Sequence, residues 1–152
     1  MPTITPFLWF DSQAEEAMTF YSSLFKRSRV ISVNRAQGRT ISVEFELEGQ
    51  KLIGLNGGPQ FRFNEAFSLL VSCESQQEID EYWGKLVANG GSPSRCGWLK
   101  DKFGLSWQII PNSLGRLLSG DGDPARAGRV MQAMLQMNKL DLRELQRAFD
   151  GA

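Results

Sequence analysis

The sequence predicts an α+β chain in which one strand–helix–strand–strand–strand unit occurs twice and C-terminal helices follow. Three observations carry this. Each half opens on an apolar stretch followed by a capping box, Ser12-Gln-Ala-Glu15 and Ser75-Gln-Gln-Glu78, in which serine and glutamate satisfy each other's free backbone donors. A shift of 62 positions lays Ala17 on Ile79, Phe20 on Tyr82, Tyr21 on Trp83 and Leu24 on Leu86, and it lays Phe7-Leu-Trp9 on Leu69-Leu-Val71; self-similarity of this kind marks a repeated unit. The stretch Cys96–Pro111 reads as a strand, a turn carrying Asp101 and Gly104, and a second strand over Leu105–Ile110. In that strand Ser106, Gln108 and Ile110 alternate with Leu105, Trp107 and Ile109, a period of two that puts one set on each face of a sheet.

In chain order, Ile4 to Phe10 is a short apolar strand, and the helix after Ser12 carries Ala14, Ala17, Met18, Tyr21, Leu24 and Phe25 along one face. Val30 to Arg35 and Thr40 to Glu48 read as strands, the second alternating Ile41, Val43, Phe45, Leu47 with Ser42, Glu44, Glu46, Glu48. Leu52 to Asn56 is the fourth strand, ended by Gly57-Gly-Pro59. Phe67 to Cys73 restarts the pattern, and the second helix buries Ile79, Tyr82, Trp83, Leu86 and Val87 before Asn89-Gly90-Gly91 stops it. After Pro111, Ser119 to Pro124 is a polar linker, and Ala125 to Met137 is a helix with Val130, Met131, Met134, Leu135 and Met137 on one side. Asp141 and Glu144 then cap a last helix, with Leu140 and Leu145 as its hydrophobic staple and Leu142, Leu145 and Phe149 as its stripe. The reading is a single domain, 1–152, made of a first module (1–60), a second module (66–111) and a linker with C-terminal helices (112–152).

Parity places the site. Ile53, Leu55, Leu69, Val71, Trp107 and Ile109 are large and apolar, as on a helix-covered face, with Trp9 placed there too; Gly54, Asn56, Ser68, Ser106 and Gln108 are small or polar. A half-polar sheet face meets solvent or lines a cavity, and two such faces together form a curved, cup-like sheet. The expected ligand contacts are Asn56, Ser68, Ser106 and Gln108, with Trp98 as a wall.

Composition excludes several classes. Lys+Arg 17 against Asp+Glu 17 leaves no net charge, so no electrostatic case exists for nucleic acid or an anionic membrane. No run approaches the roughly 20 apolar residues of a membrane span, and Met-Pro-Thr-Ile-Thr-Pro lacks the basic and apolar regions of a secretory signal. Two cysteines, Cys73 and Cys96, lack metal-site spacing, and histidine is absent. The expectation is a cytoplasmic protein with free thiols.

Three groups are catalytic candidates. Cys96 lies beside Arg95, and nearby cations favour a thiolate; the alternative is a small buried apolar residue, and no histidine exists to act as its base. Glu44 and Glu46 serve as general bases if their face lines the cup; the run Glu44, Glu46, Glu48 also fits a solvated edge.

Thr5-Pro-Phe-Leu-Trp-Phe-Asp11, Ala14-Glu-Glu-Ala17, Phe20-Tyr21, Gly54-Leu-Asn-Gly-Gly58, Cys96-Gly-Trp-Leu-Lys-Asp-Lys-Phe-Gly104 and Trp107-Gln-Ile-Ile-Pro111 resemble the PhnB-like branch of the vicinal-oxygen-chelate superfamily, which includes glyoxalase I, extradiol dioxygenases and bleomycin-resistance proteins. The resemblance spans essentially the whole chain. It implies the glyoxalase/bleomycin-resistance fold, paired modules forming a cup, and a homodimer. Metal enzymes of the superfamily take a His or a Glu/Gln from each of four strands; matched to this chain those positions fall near Ile4 or Pro6, then on Gly54, Ser68 and Gln108. Gln108 alone could coordinate, so neither metal nor cofactor is expected. Members of the branch often carry the label 3-demethylubiquinone methyltransferase, but Gly54–Gly58 is followed by Pro59 and Gln60 instead of the helix that a nucleotide-binding turn needs. The function expected is binding or sequestration of a small, partly apolar or aromatic compound; the alternative is a metal-free isomerase, lyase or transferase.

Overall fold

The computed structural model describes residues 1–152. They divide into two compact units, Met1–Phe63 and Asn64–Ala152. The first contains β1 (Phe7–Phe10), α1 (Ala14–Leu24), β2 (Ser28–Ala36), β3 (Arg39–Leu47) and β4 (Gln50–Asn56). The second contains β5 (Ser68–Cys73), α2 (Gln76–Val87), β6 (Ser92–Pro93), β7 (Trp98–Lys100), β8 (Ser106–Pro111), α3 (Leu114–Ser119), α4 (Pro124–Met134) and α5 (Leu142–Asp150). Each unit builds one four-stranded mixed sheet, and the orders correspond: β1-β4-β3-β2 and β5-β8-β7-β6. In both, the first strand runs parallel to the fourth and the remaining pairs are antiparallel. The repeat read from the sequence is therefore a repeat of topology.

In the first unit α1 packs on β3 and β4. Ala14, Ala17, Met18 and Tyr21 are buried on the helix, and Leu8, Phe10, Val43, Phe45, Leu47 and Leu52 are buried on the strands. The covered positions of β1 and β4 thus carry even numbers, opposite to the sequence reading. Gly54 confirms it: a Cβ there would meet Val43 at 3.0 Å, the Phe10 ring at 3.3 Å and Ala14 Cβ at 3.5 Å. Trp9, Ile53 and Leu55 lie on the face away from α1, and Asn56 on the face toward it.

The cause is the connection into the helix. Phe10 and Cys73 are the last buried strand residues before their helices, but three residues, Asp11–Gln13, separate β1 from α1, whereas two, Glu74–Ser75, separate β5 from α2. The helices correspond at a shift of 62, the first strands at 63, and a slip of one residue exchanges the faces of a strand. In the second unit the expected parity holds, with Cys73, Leu99, Trp107 and Ile109 buried.

The capping boxes diverge for the same reason. Ser75 Oγ accepts from the Glu78 N–H at 3.2 Å, and Glu78 reaches back to the Glu74 N–H at 3.0 Å, one residue before the expected partner. At α1 no side chain of the preceding turn caps the helix. The Ala14 N–H donates to Asn56 Oδ1 at 2.8 Å instead, and Glu15 is drawn outward to pair with Arg35. An N-cap is worth roughly 1 kcal/mol and each large buried side chain roughly 2, so burial of Leu8, Phe10 and Leu52 sets the register and the cap adapts to it.

The C-terminal helices build a second core, Leu117, Val130, Leu140, Leu145 and Phe149, against which Ile110, Met134, Met137 and Leu142 pack. Asp123 caps α4 and Asp141 caps α5, each accepting a backbone N–H of the first turn, and Leu140 and Leu145 meet as the staple requires. The α3 turn was not anticipated. The stripe expected through Met137 is narrower than read: α4 ends at Met134, and Met131 and Leu135 are exposed. Val130, Leu145 and Phe149 cover one another, so the apolar stripes of these helices meet in a core of their own. No helix is long and apolar enough to cross a membrane.

Candidate functional site on the open face of the second sheet

The face of the second sheet away from α2 is ordered by strand register. Ser68 pairs with Ser106 and Ser106 with Lys100, a row across β5, β8 and β7. Leu70 pairs with Gln108 and Gln108 with Trp98 in the next row. Partners in register share a face, so four residues expected from the sequence, Ser68, Trp98, Ser106 and Gln108, stand together. Gln108 Nε2 donates to Ser68 Oγ at 3.0 Å, joining the rows diagonally. Leu70 is 53 % exposed, an apolar side chain on the edge strand of this face. Ser106 is 1 % exposed, and its hydroxyl has no hydrogen-bond partner.

Lys100 was missed by the sequence reading, although its distance of two residues from Trp98 on one strand was the available signal. It ion-pairs with Glu65, whose carboxyl its hydrogen bond holds below the ordinary carboxylate value.

The turn behind this face is fixed by Asp101. Its Oδ1 accepts from the N–H groups of Phe103 and Leu105 at 2.8 and 3.1 Å, and its Oδ2 from Trp107 Nε1 at 2.9 Å. On the other side of β7, the Cys96 and Gly97 N–H groups donate to the carbonyls of Met137 and Asn138, both at 2.8 Å. The strand that carries Trp98 and Lys100 is thus held at both ends.

The remaining candidates lie elsewhere. Asn56 is a structural clasp: besides capping α1 it donates through Nδ2 to the Thr40 carbonyl at 3.1 Å. Glu44 and Glu46 stand on the open face of the first sheet on β3, an interior strand and not the solvated edge. They are ion-paired with Lys51 and with Arg29, the latter at 3.2 Å. Cys96 is half-buried in the loop before β7, its Sγ 3.6 Å from the Met134 carbonyl, off the site face. Trp9, expected in the helix-side core with Trp107, instead lies over the end of β4; its Nε1 donates to the Gly58 carbonyl at 2.9 Å, and the Phe61 ring meets it edge-on at 5.0 Å.

Residues 2–110 match the family described as 3-demethylubiquinone-9 3-methyltransferase. This chain belongs to that family. Among solved structures, a PhnB protein from Bacillus cereus, itself described as a 3-demethylubiquinone-9 3-methyltransferase, is 36% identical with a TM-score of 0.67, covering 72% of this chain and 99% of its own. PA1353 from Pseudomonas aeruginosa is 18% identical with a TM-score of 0.59, covering 73% and 98%. A glyoxalase-related enzyme from Fulvimarina pelagi is 16% identical with a TM-score of 0.51, covering 73% and 89%. No curated protein matches. The fold is the PhnB-like form of the vicinal-oxygen-chelate architecture, and α3 to α5 lie beyond the family match.

The open-face positions of β1 and β4 are Phe7, Trp9, Ile53 and Leu55, which offer no donor atom to an ion. No group of three or more His, Cys, Asp or Glu side chains gathers anywhere in a way that could hold a metal. These residues do not fit the superfamily's divalent ion. The glycine-rich stretch does not fit S-adenosylmethionine either. A Cβ at Gly57 would lie 2.4 Å from the Trp9 ring, so the glycine makes room for an indole, and no helix N-terminus follows it.

Proposed function

We propose that this family member binds a small, partly apolar or aromatic compound on the open face of the second sheet, without a metal ion. The carrying observation is the meeting of Ser68, Ser106, Gln108 and Trp98 beside an exposed Leu70 on the edge strand. Hydrogen-bonding groups at fixed register beside an apolar wall are what a small-molecule site needs. No residue of the sequence-read catalytic set, Glu44, Glu46 or Cys96, stands on this face, which favours binding over a metal-free isomerase, lyase or transferase. Methyl transfer has no support in the Gly54–Gly58 loop.

Thermal-shift screening against a metabolite and xenobiotic panel tests the reading, because a ligand that binds the folded state raises Tm by mass action. Hits should lose their shift in Trp98→Ala and Gln108→Ala and keep it in Glu44→Gln. A panel without hits, or hits indifferent to both site variants, would sink the proposal.

We also propose a cytoplasmic homodimer. Two free cysteines fit a reducing compartment, and exposed Phe7, Phe61 and Phe67 fit a buried contact between copies. Light scattering should give about twice the 17.1 kDa chain mass; a monomer at tens of micromolar would remove the dimer.

A further inference from the structure

The row Ser68–Ser106–Lys100 holds more polar capacity than its own contacts use. The Ser106 hydroxyl is buried and unpartnered, and a buried polar group without a partner is destabilising. Its cross-strand neighbour Lys100 is the one charged side chain in the two rows, and its partner Glu65 comes from outside the sheet. Glu65 sits in a turn just before β5, closed by Asn64 Oδ1 accepting from the Ala66 N–H at 2.9 Å. The side chains of Lys100 and Glu65 are 40% and 63% exposed. An ion pair so open to water adds little stability and is readily exchanged. Glu65, with its carboxyl below the ordinary value, is itself an anion occupying the ammonium.

We propose that the ligand of this face carries a monoanionic head, a carboxylate on an aryl or alkyl body, which takes the place of the Glu65 carboxylate on Lys100. This rests on the binding reading above. One ammonium with neighbouring hydroxyls matches one negative charge, and the unpartnered Ser106 hydroxyl in the same row is the second donor to that head. Leu70 and Trp98, one row on, take the apolar body. Glu65 then acts as an internal competitor that keeps the lysine paired until an organic anion arrives.

The probes are benzoate and its neutral counterpart benzamide, titrated into the full-length protein and followed by nuclear magnetic resonance. Benzoate should bind more tightly than benzamide and weaken with added salt. Lys100→Met should weaken benzoate about tenfold, the worth of one charge-assisted hydrogen bond, and leave benzamide unchanged. Glu65→Gln should tighten benzoate, because the competitor loses its charge, and Ser106→Ala should weaken it. Lys100 and Glu65 are exposed enough for both variants to fold, and unchanged melting temperatures would verify this. If benzamide binds as tightly as benzoate, or Lys100→Met leaves benzoate unaffected, the charged head is wrong while the small-molecule reading stands. If neither probe binds and neutral panel compounds do, the charged head is wrong again. If nothing binds at all, both readings fall.

Discussion

The indole N–H of Trp107 donates to Asp101 Oδ2 at 2.9 Å, across a turn whose other carboxylate oxygen already holds two backbone N–H groups. Asp101 is 2% exposed, so one buried carboxylate ties the helix-side core to the turn between β7 and β8. Asp101→Ala would leave three donors without an acceptor and should cost roughly 3 kcal/mol in denaturant unfolding. Asp101→Asn keeps an acceptor for the backbone but sets an NH2 against the indole N–H, so an intermediate loss is expected. A loss below about 0.5 kcal/mol in the alanine variant, the range of ordinary surface substitutions, would show that the turn holds itself.

Asn56 should behave as a clasp and not as a ligand contact. Asn56→Ala removes the acceptor for the Ala14 N–H and the donor to the Thr40 carbonyl, a loss of about 1–2 kcal/mol by the usual worth of a cap. Ligand affinity on the second sheet should not change. A selective loss of binding at unchanged stability would return Asn56 to the site.

Burial raises the Cys73 thiol from 9.0 to about 11, with the nearby Glu78 charge adding to the effect. The folded state therefore keeps its proton where the unfolded chain has lost it. The associated stability is fully present below pH 9 and is lost as pH rises to about 11. The loss should approach roughly 2–3 kcal/mol, the free energy of a shift of this size. Cys73→Ala should flatten that part of the pH–stability profile relative to the parent, and parallel profiles for the two proteins would contradict the assignment.

Leu140 is fully buried, and a Cβ added to Gly97 would meet its side chain at 3.2 Å, so the segment before α5 closes the loop that leads into β7. Gln76 reinforces the closure, accepting from the Leu142 N–H at 2.7 Å and donating to the Leu140 carbonyl at 3.0 Å. Leu140→Ala should destabilise by roughly 3 kcal/mol, as for large-to-small core changes. Amide hydrogen exchange at Cys96 and Gly97 should speed up, while the first sheet keeps its protection. Equal acceleration in both sheets would mean that the C-terminal helices support the whole chain.

Four helices, α1, α2, α4 and α5, the hairpin around Asp101 and the repeated unit were legible because each depends on local periodicity and turn chemistry. Asp141 capped its helix where expected, and Ser75 did so too. The first sheet misled because large residues sit on both of its faces. Ile53 and Leu55 outweigh Gly54 in any sequence pattern, yet the glycine marks the covered side, where Phe10 and Ala14 come too close for a side chain. The deciding quantity was the length of the connection before α1, and nothing in a capping box distinguishes three residues from two. Most of the candidate site was legible: Ser68, Ser106 and Gln108 follow from parity and Trp98 was expected as a wall, whereas Lys100 was hidden because a lysine on a short strand looks like ordinary surface.

That extra residue in Asp11–Gln13 bears on what the repeat can still do for the molecule. Here β1 and β4 put Phe7, Trp9, Ile53 and Leu55 on the open side of the first sheet beside Glu44 and Glu46, and the second presents Ser68, Ser106, Lys100 and Gln108 beside Leu70 and Trp98. A chain made of two first units would lack the hydroxyl–ammonium row, and one made of two second units would lack the large side chains that β1 and β4 present. Exchanging side chains between the two faces would leave the connectors of three and two residues, and with them the strand registers, as they are.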